Sequence, residues 1–137
     1  MSQRREIVAA LVDTLVARGV VLRNNVFTVL KLLPEIYDFP AISIICPSET
    51  RIHYSSGKRI GQIEVQIRAF SYSSEDAVGE SEILASLVED AIDEFAWTSK
   101  HLGVYEARVA FLRTDEGLFD PAGVTNITAQ ITYEVDR

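Results

Sequence analysis

Few side chains in this sequence are equipped for chemistry, and their spacing decides what each could do. The two histidines, His53 and His101, lie far apart and outside any HxH or HExxH pattern. A metal site needs several convergent ligands, so both read as exposed side chains. Cys46 is the single cysteine and follows Ile44 and Ile45. With no neighbour in sequence to lower its pKa, it reads as a small buried hydrophobe rather than a nucleophile. One cysteine also excludes an intramolecular disulfide and is compatible with a reducing compartment. Ser55-Ser56-Gly57-Lys58 contains glycine and lysine but lacks the GxxxxGK[ST] order and the following helix that cradle a phosphate. It reads as the polar tip of a hairpin. Asp115, Glu116 and Asp120 could act as acid, base or divalent-cation ligands, yet their spacing is not that of an EF-hand loop. They read as charges bounding a loop. No catalytic, cofactor-binding or metal residue is assigned, and the chain is not expected to be an enzyme.

The elements that must position these residues follow from periodicity. Residues 3–17 place Ile7, Leu11 and Leu15, with Val8 and Val12, at helical spacing, and Gly19 stops the helix beside Arg18. Asn24-Asn25 marks a turn before a short apolar strand over residues 26–30. Pro34 and Pro40 bracket a loop holding Tyr37 and Phe39. Residues 41–46 fit a central strand buried on both faces and ended by Pro47. The hairpin follows over residues 50–59, and then Ile63, Val65, Ile67 and Ala69 alternate with Glu64, Gln66, Arg68 and Phe70. A second helix covers residues 76–95. Its apolar stripe is Ile83, Leu84, Leu87, Val88, Ala91, Ile92 and Phe95, and its other faces carry Glu80, Glu82, Glu89, Asp90, Asp93 and Glu94. In the last quarter Tyr105, Ala107, Val109 and Phe111 share one strand face. Ile127, Ala129, Ile131, Tyr133 and Val135 then alternate with Thr128, Gln130, Thr132, Glu134 and Asp136. The predicted fold is α+β: an antiparallel sheet of about four to five strands, two helices packed on one face, and a projecting β-hairpin. Residues 1–137 are expected to form a single domain.

A chain of 137 residues is long enough to bury roughly two-thirds of its unfolded surface. The formal net charge of -7 argues against non-specific nucleic-acid binding, although it leaves DNA free to pass nearby. Arg4-Arg5 precedes an apolar run, but Glu6 and Asp13 interrupt it and no cleavage site follows, so the segment reads as helix rather than signal. No stretch reaches the ~20 apolar residues of a membrane span, and no membrane partner is expected.

Two loops are harder to treat as filler. Leu118 and Phe119 are adjacent large apolar residues in a tight loop and cannot both point inward. Tyr37 and Phe39 pose the same problem between two prolines. Pro121 fixes the backbone after Asp120, and Gly117 and Gly123 are expected to let the loop turn with Phe119 held outward. The hairpin is cationic through Arg51, Lys58 and Arg59, and in an acidic protein such an arm complements an acidic surface on a further copy. It is expected to be mobile in the free subunit. The candidate interface residues are therefore Tyr37, Phe39, Arg51, Lys58, Arg59, Leu118, Phe119 and Asp120.

The order of these elements resembles the tail terminator proteins of long-tailed bacteriophages. The resemblance is carried by Leu33-Pro34 and Phe39-Pro40-Ala41-Ile42-Ser43-Ile44, by Gln62-Ile63-Glu64-Val65-Gln66-Ile67, and above all by the T-D-E-G…P-x-G segment running from Thr114 through Gly123. It covers nearly the whole chain, and related tail-completion and neck proteins look alike at this level. The resemblance implies a virion protein at the tail–neck junction, assembled in the host cytoplasm, without cofactor or reaction. It implies a homo-oligomeric ring, usually a hexamer, that caps the head-proximal end of the tail tube and stops tube polymerisation. Its partners would be the tail tube protein and a head-completion or neck protein, with DNA passing through the lumen unbound. Three other readings stay open: another neck or head–tail joining protein, a small ligand-binding or regulatory α+β domain, and a small enzyme using the acidic loop.

Overall fold

A computed structural model of the protein describes residues 2–135, so the expectation for Asp136 lies outside the described residues. Helix α1 spans Gln3–Ala17, and the Ser2 hydroxyl caps it by accepting from the Arg5 backbone N–H. Strand β1 (Val26–Phe27) follows a short 3-10 turn, and a second such turn precedes β2 (Ala41–His53). After β3 (Arg59–Tyr72), Asp76 caps helix α2 (Ala77–Thr98) by accepting from the Gly79 N–H. Strands β4 (Val104–Thr114) and β5 (Ala122–Glu134) complete the chain. The sheet order is β1-β2-β3-β5-β4; the short β1 runs parallel to β2 and every other pair is antiparallel. The expected α+β architecture is therefore present, with one parallel edge strand added.

Alternation divides the sheet into a dry and a wet face. Ile42, Ile44, Ile63, Val65, Ile67, Ile127, Ala129, Ile131 and Tyr133 pack with Ile7, Leu11 and Leu15 of α1 and with Leu84, Val88, Ile92 and Phe95 of α2. Both helices thus cover one face. The opposite face carries the alternate residues, among them Gln62, Glu64, Gln66, Arg68, Asn126, Thr128 and Gln130. Phe70 belongs to that second face yet is fully buried, because residues 33–40 fold over it. Ile36, Ala41 and Val124 join it there, with Phe27, Leu33 and Phe39 packed alongside.

Four details differ from expectation. Pro47 does not end its strand: the register passes from Ile45↔Gln66 to Ser48↔Glu64, so a bulge at Cys46-Pro47 absorbs one extra residue and β2 continues to His53. A proline, lacking an N–H, is tolerated at such a bulge. Burial on both faces holds only from Ala41 to Ile44; Cys46 is half-buried. In β4 two further irregularities, between Val104 and Glu106 and between Val109 and Phe111, shift the alternation. Phe111 consequently faces Thr128 on the wet side and is 59% exposed. On α2 the sheet covers Ala77, Ser81, Leu84, Ala85, Val88, Ala91, Ile92 and Phe95, leaving Ile83 and Leu87 outside. The apolar positions extend around more of the helix than one contact face can bury. Finally, the strand after Asn25 is two residues long. Beyond it the Ser43 hydroxyl donates to the Val29 carbonyl (2.6 Å) and accepts from the Lys31 N–H (3.3 Å), replacing ladder hydrogen bonds.

Candidate assembly surfaces

The sheet has two chemically different ends. At one end β2 begins opposite Phe70, β3 finishes opposite Ala122, and β4 finishes opposite Thr125. Residues 33–40 and 115–121 therefore lie at the same end. Tyr37 is 92% exposed, whereas Phe39 turns partly into the satellite cluster and meets Tyr72 with ring centroids 5.7 Å apart. Leu118 is 77% exposed and Phe119 45% exposed, so both face outward.

The 115–121 loop is held by its own backbone. The Leu118 N–H donates to the Asp115 carbonyl (3.0 Å), Asp120 to Gly117 (3.1 Å), and Ala122 to Phe119 (2.8 Å). Glu116 and Gly117 both have positive φ, 55° and 87°, at the centre of the first of these turns. The Asp115 carboxylate accepts from the Gly117 N–H at 3.2 Å and the Val124 N–H at 3.3 Å. Asp115 is thus a loop brace, while Glu116, Leu118, Phe119 and Asp120 are exposed. Gly123 is not the turning residue expected. A Cβ there would stand 1.9 Å from Ser81 Oγ and 2.8 Å from Ser71 Oγ, so its role is the close approach of α2 to β5.

At the opposite end, the hairpin closes through Tyr54 N–H to the Lys58 carbonyl (2.9 Å) and Gly57 N–H to the Tyr54 carbonyl (2.9 Å). Its cations are not all free. Arg51 pairs with Glu49, and Lys58 Nζ lies 5.4 Å from the Tyr105 ring centroid. Arg59 is half-buried, and its carbonyl accepts from the Val135 N–H (3.0 Å). Beneath the hairpin, Tyr133 donates its hydroxyl to Glu49 while its ring lies over Gly61. Burial pushes the Glu49 carboxyl up, but the hydrogen bonds from Tyr133 and Arg51, with the Arg51 charge, leave it below its ordinary value. Burial, then the bond to Glu49, pushes the Tyr133 hydroxyl up to about 12. The eight candidate residues therefore form no single site. Tyr37, Phe39, Leu118, Phe119 and Asp120 share one end, and Arg51, Lys58 and Arg59 the other.

Neither His53 nor His101 is buried, and among the described residues no group of three His, Cys, Asp or Glu side chains converges as metal ligands. Cys46, at the bulge, has its thiol pKa raised by burial. Sequence reasoning missed two concave surfaces. One hollow of about 250 Å³ lies on the wet face. There Arg68 donates to Asn126 Oδ1 and to the Lys31 carbonyl, each at 3.1 Å, near Phe111 and Arg113. A wider groove of about 620 Å³ runs between α1 and β2, with Arg4, Arg5, Val8, Val12, Ile44 and Cys46 in its lining.

Exposed apolar loops, sheet edges without a neighbouring strand and distinct ends describe a structural subunit whose surfaces other chains complete. A family described as the bacteriophage tail tube terminator protein matches residues 1–137, and the chain belongs to it. This makes it a structural protein of the phage tail. In fold, the chain is similar to a chain in the "Virion of native gene transfer agent (GTA) particle", with a TM-score of 0.59 and 12% identity over 92% of each chain. No curated protein matches the sequence.

Proposed function

We propose that copies of this chain, six being the expected number, close into a ring on the head-proximal end of the tail tube. The ring stops further addition of tube subunits and presents its far rim to a head-completion or neck protein. Beyond family membership, the reading is supported by the chemical difference between the subunit's two ends. In a ring of like-oriented copies each end becomes a rim: one carrying the exposed Tyr37 loop, the other the hairpin with its Ser55-Ser56-Gly57-Lys58 tip. A piece that ends a polymer needs such asymmetry, because one rim must match the tube and the other must refuse another tube subunit.

The test is to add purified protein to preformed tail tubes and then supply fresh tube subunits. Electron microscopy is expected to show ring-shaped density at one tube end and tubes of unchanged length. Continued elongation in the presence of saturating protein, or a stable two-fold dimer with and without tubes, would overturn the proposal.

A further inference from the structure

The geometry points to a specific ring contact: the Leu118-Phe119 loop of one copy seats in the groove between α1 and β2 of the next. This deepens the ring reading and rests on it. The groove is apolar along its floor, through Val8, Val12, Ile44 and Cys46, and basic at its rim through Arg4 and Arg5. β1 pairs only with Ile42 and Ser43, so the outer edge of β2, the side away from β3, has no strand beside it from Ile44 onward. The opening of about 620 Å³ falls within the ~300–1,000 Å³ of pockets that enclose a ligand.

The loop is its chemical complement. Two exposed apolar side chains stand between Glu116 and Asp120, and neither carboxylate is used inside the loop as Asp115 is. Seating it would remove Leu118 and Phe119 from water and bring two carboxylates to two guanidiniums, with Glu49 the nearby acid already held by Tyr133 and Arg51. Position sets a condition on the contact. The loop follows β4, one outer strand, and the groove lies on β2, toward the opposite side of the sheet. Ile44, Ile67, Ile127 and Leu112 form one cross-strand row, with Cys46 on one side of it and the loop past Thr114 on the other, so the contact requires neighbouring copies to be offset along the strands. With β3 and β5 between them, a copy's loop and its own groove lie apart. Loop-to-groove contact repeated from copy to copy is heterologous, the kind that closes into a ring when the rotation per step permits.

Cys46, the single cysteine, supplies the test. Leu118→Cys and Phe119→Cys are introduced separately, assembled with tail tubes, and oxidised with copper–phenanthroline at pH 9. Non-reducing gels should show a ladder of covalent multimers ending at the ring number. Adding Cys46→Ala should reduce that ladder to dimers at most. A second measurement uses charge: Arg4→Glu with Arg5→Glu should raise the concentration for half-assembly at least tenfold. Glu116→Arg with Asp120→Arg should restore it in part. Rings seen by electron microscopy without a Cys46-dependent ladder, or charge changes with no effect, would overturn this contact and leave the ring intact. Failure to form rings even on tubes would overturn both.

Discussion

Tyr133 and Glu49 show how a single pair sets the behaviour of this chain at high pH. The Tyr133 hydroxyl ionises near 10 in the unfolded chain and at about 12 in the fold. The folded state thus holds its proton longer, so the contribution to stability is full below pH 10 and is lost as pH rises from there toward 12. Urea midpoints measured across that range should fall, and Tyr133→Phe should flatten the part of the fall due to this group. At neutral pH the same substitution should cost about 1–3 kcal/mol, because the Glu49 carboxylate loses a donor where water is scarce. None of this was legible in the sequence, where Tyr133 was one apolar position in an alternating strand. Glu49 reaches it across 84 residues. The exposed loop residues were more legible: adjacent Leu118 and Phe119 leave a tight turn no means of burying both, and both are exposed.

Elements were read well where periodicity was uninterrupted. α1 occupies the residues its apolar spacing specified, and β5 keeps its alternation from Ile127 to Tyr133 without a slip. Two of the failures share one cause. A bulge inserts a residue without any compositional mark, so every later side chain changes face, as Phe111 does. Pro47 misled for the same reason: a proline within an apolar strand can sit in a bulge as readily as end the strand. Gly123 fails for a different reason: a glycine read as a turn is instead a packing notch. The Ser71 and Ser81 hydroxyls lie 3.1 Å apart over it, joining β3 to α2. Gly123→Ala should push α2 off the sheet and lower stability by about 3 kcal/mol, the upper range for overpacking a core. A thermal melt of the free subunit measures it; an unchanged melting temperature would show that α2 moves aside without cost.

At the scale of the whole molecule the sequence disclosed the amount of charge and, on the second helix, its location. α2 alone contributes Glu80, Glu82, Glu89, Asp90, Asp93 and Glu94 with no lysine or arginine, and all six are exposed. The wet face of the sheet is balanced instead, with Glu64 and Glu106 set against Arg68 and Arg108. Phosphate backbones should therefore find no purchase, and the protein should leave duplex DNA unshifted in gels at physiological salt. Reversing Glu82, Glu89, Asp90 and Asp93 to lysine should create retention that vanishes as salt is raised. Retention by the native chain would remove the argument for unbound passage of DNA.

The interrupted edges carry one more consequence. A strand that lies straight and unpaired is a template for any other strand, and proteins stored with such edges zip into cross-β fibrils. Here β2 is bent at Cys46-Pro47 along its open side, and β4 is bent twice. On the proposed reading, copies waiting for a tube end would thereby be kept from polymerising with one another. If the proposed capping role holds, the protein could then be made in surplus without precipitating, and the supply of free tube ends, rather than careful dosing of the cap, would decide how many are used.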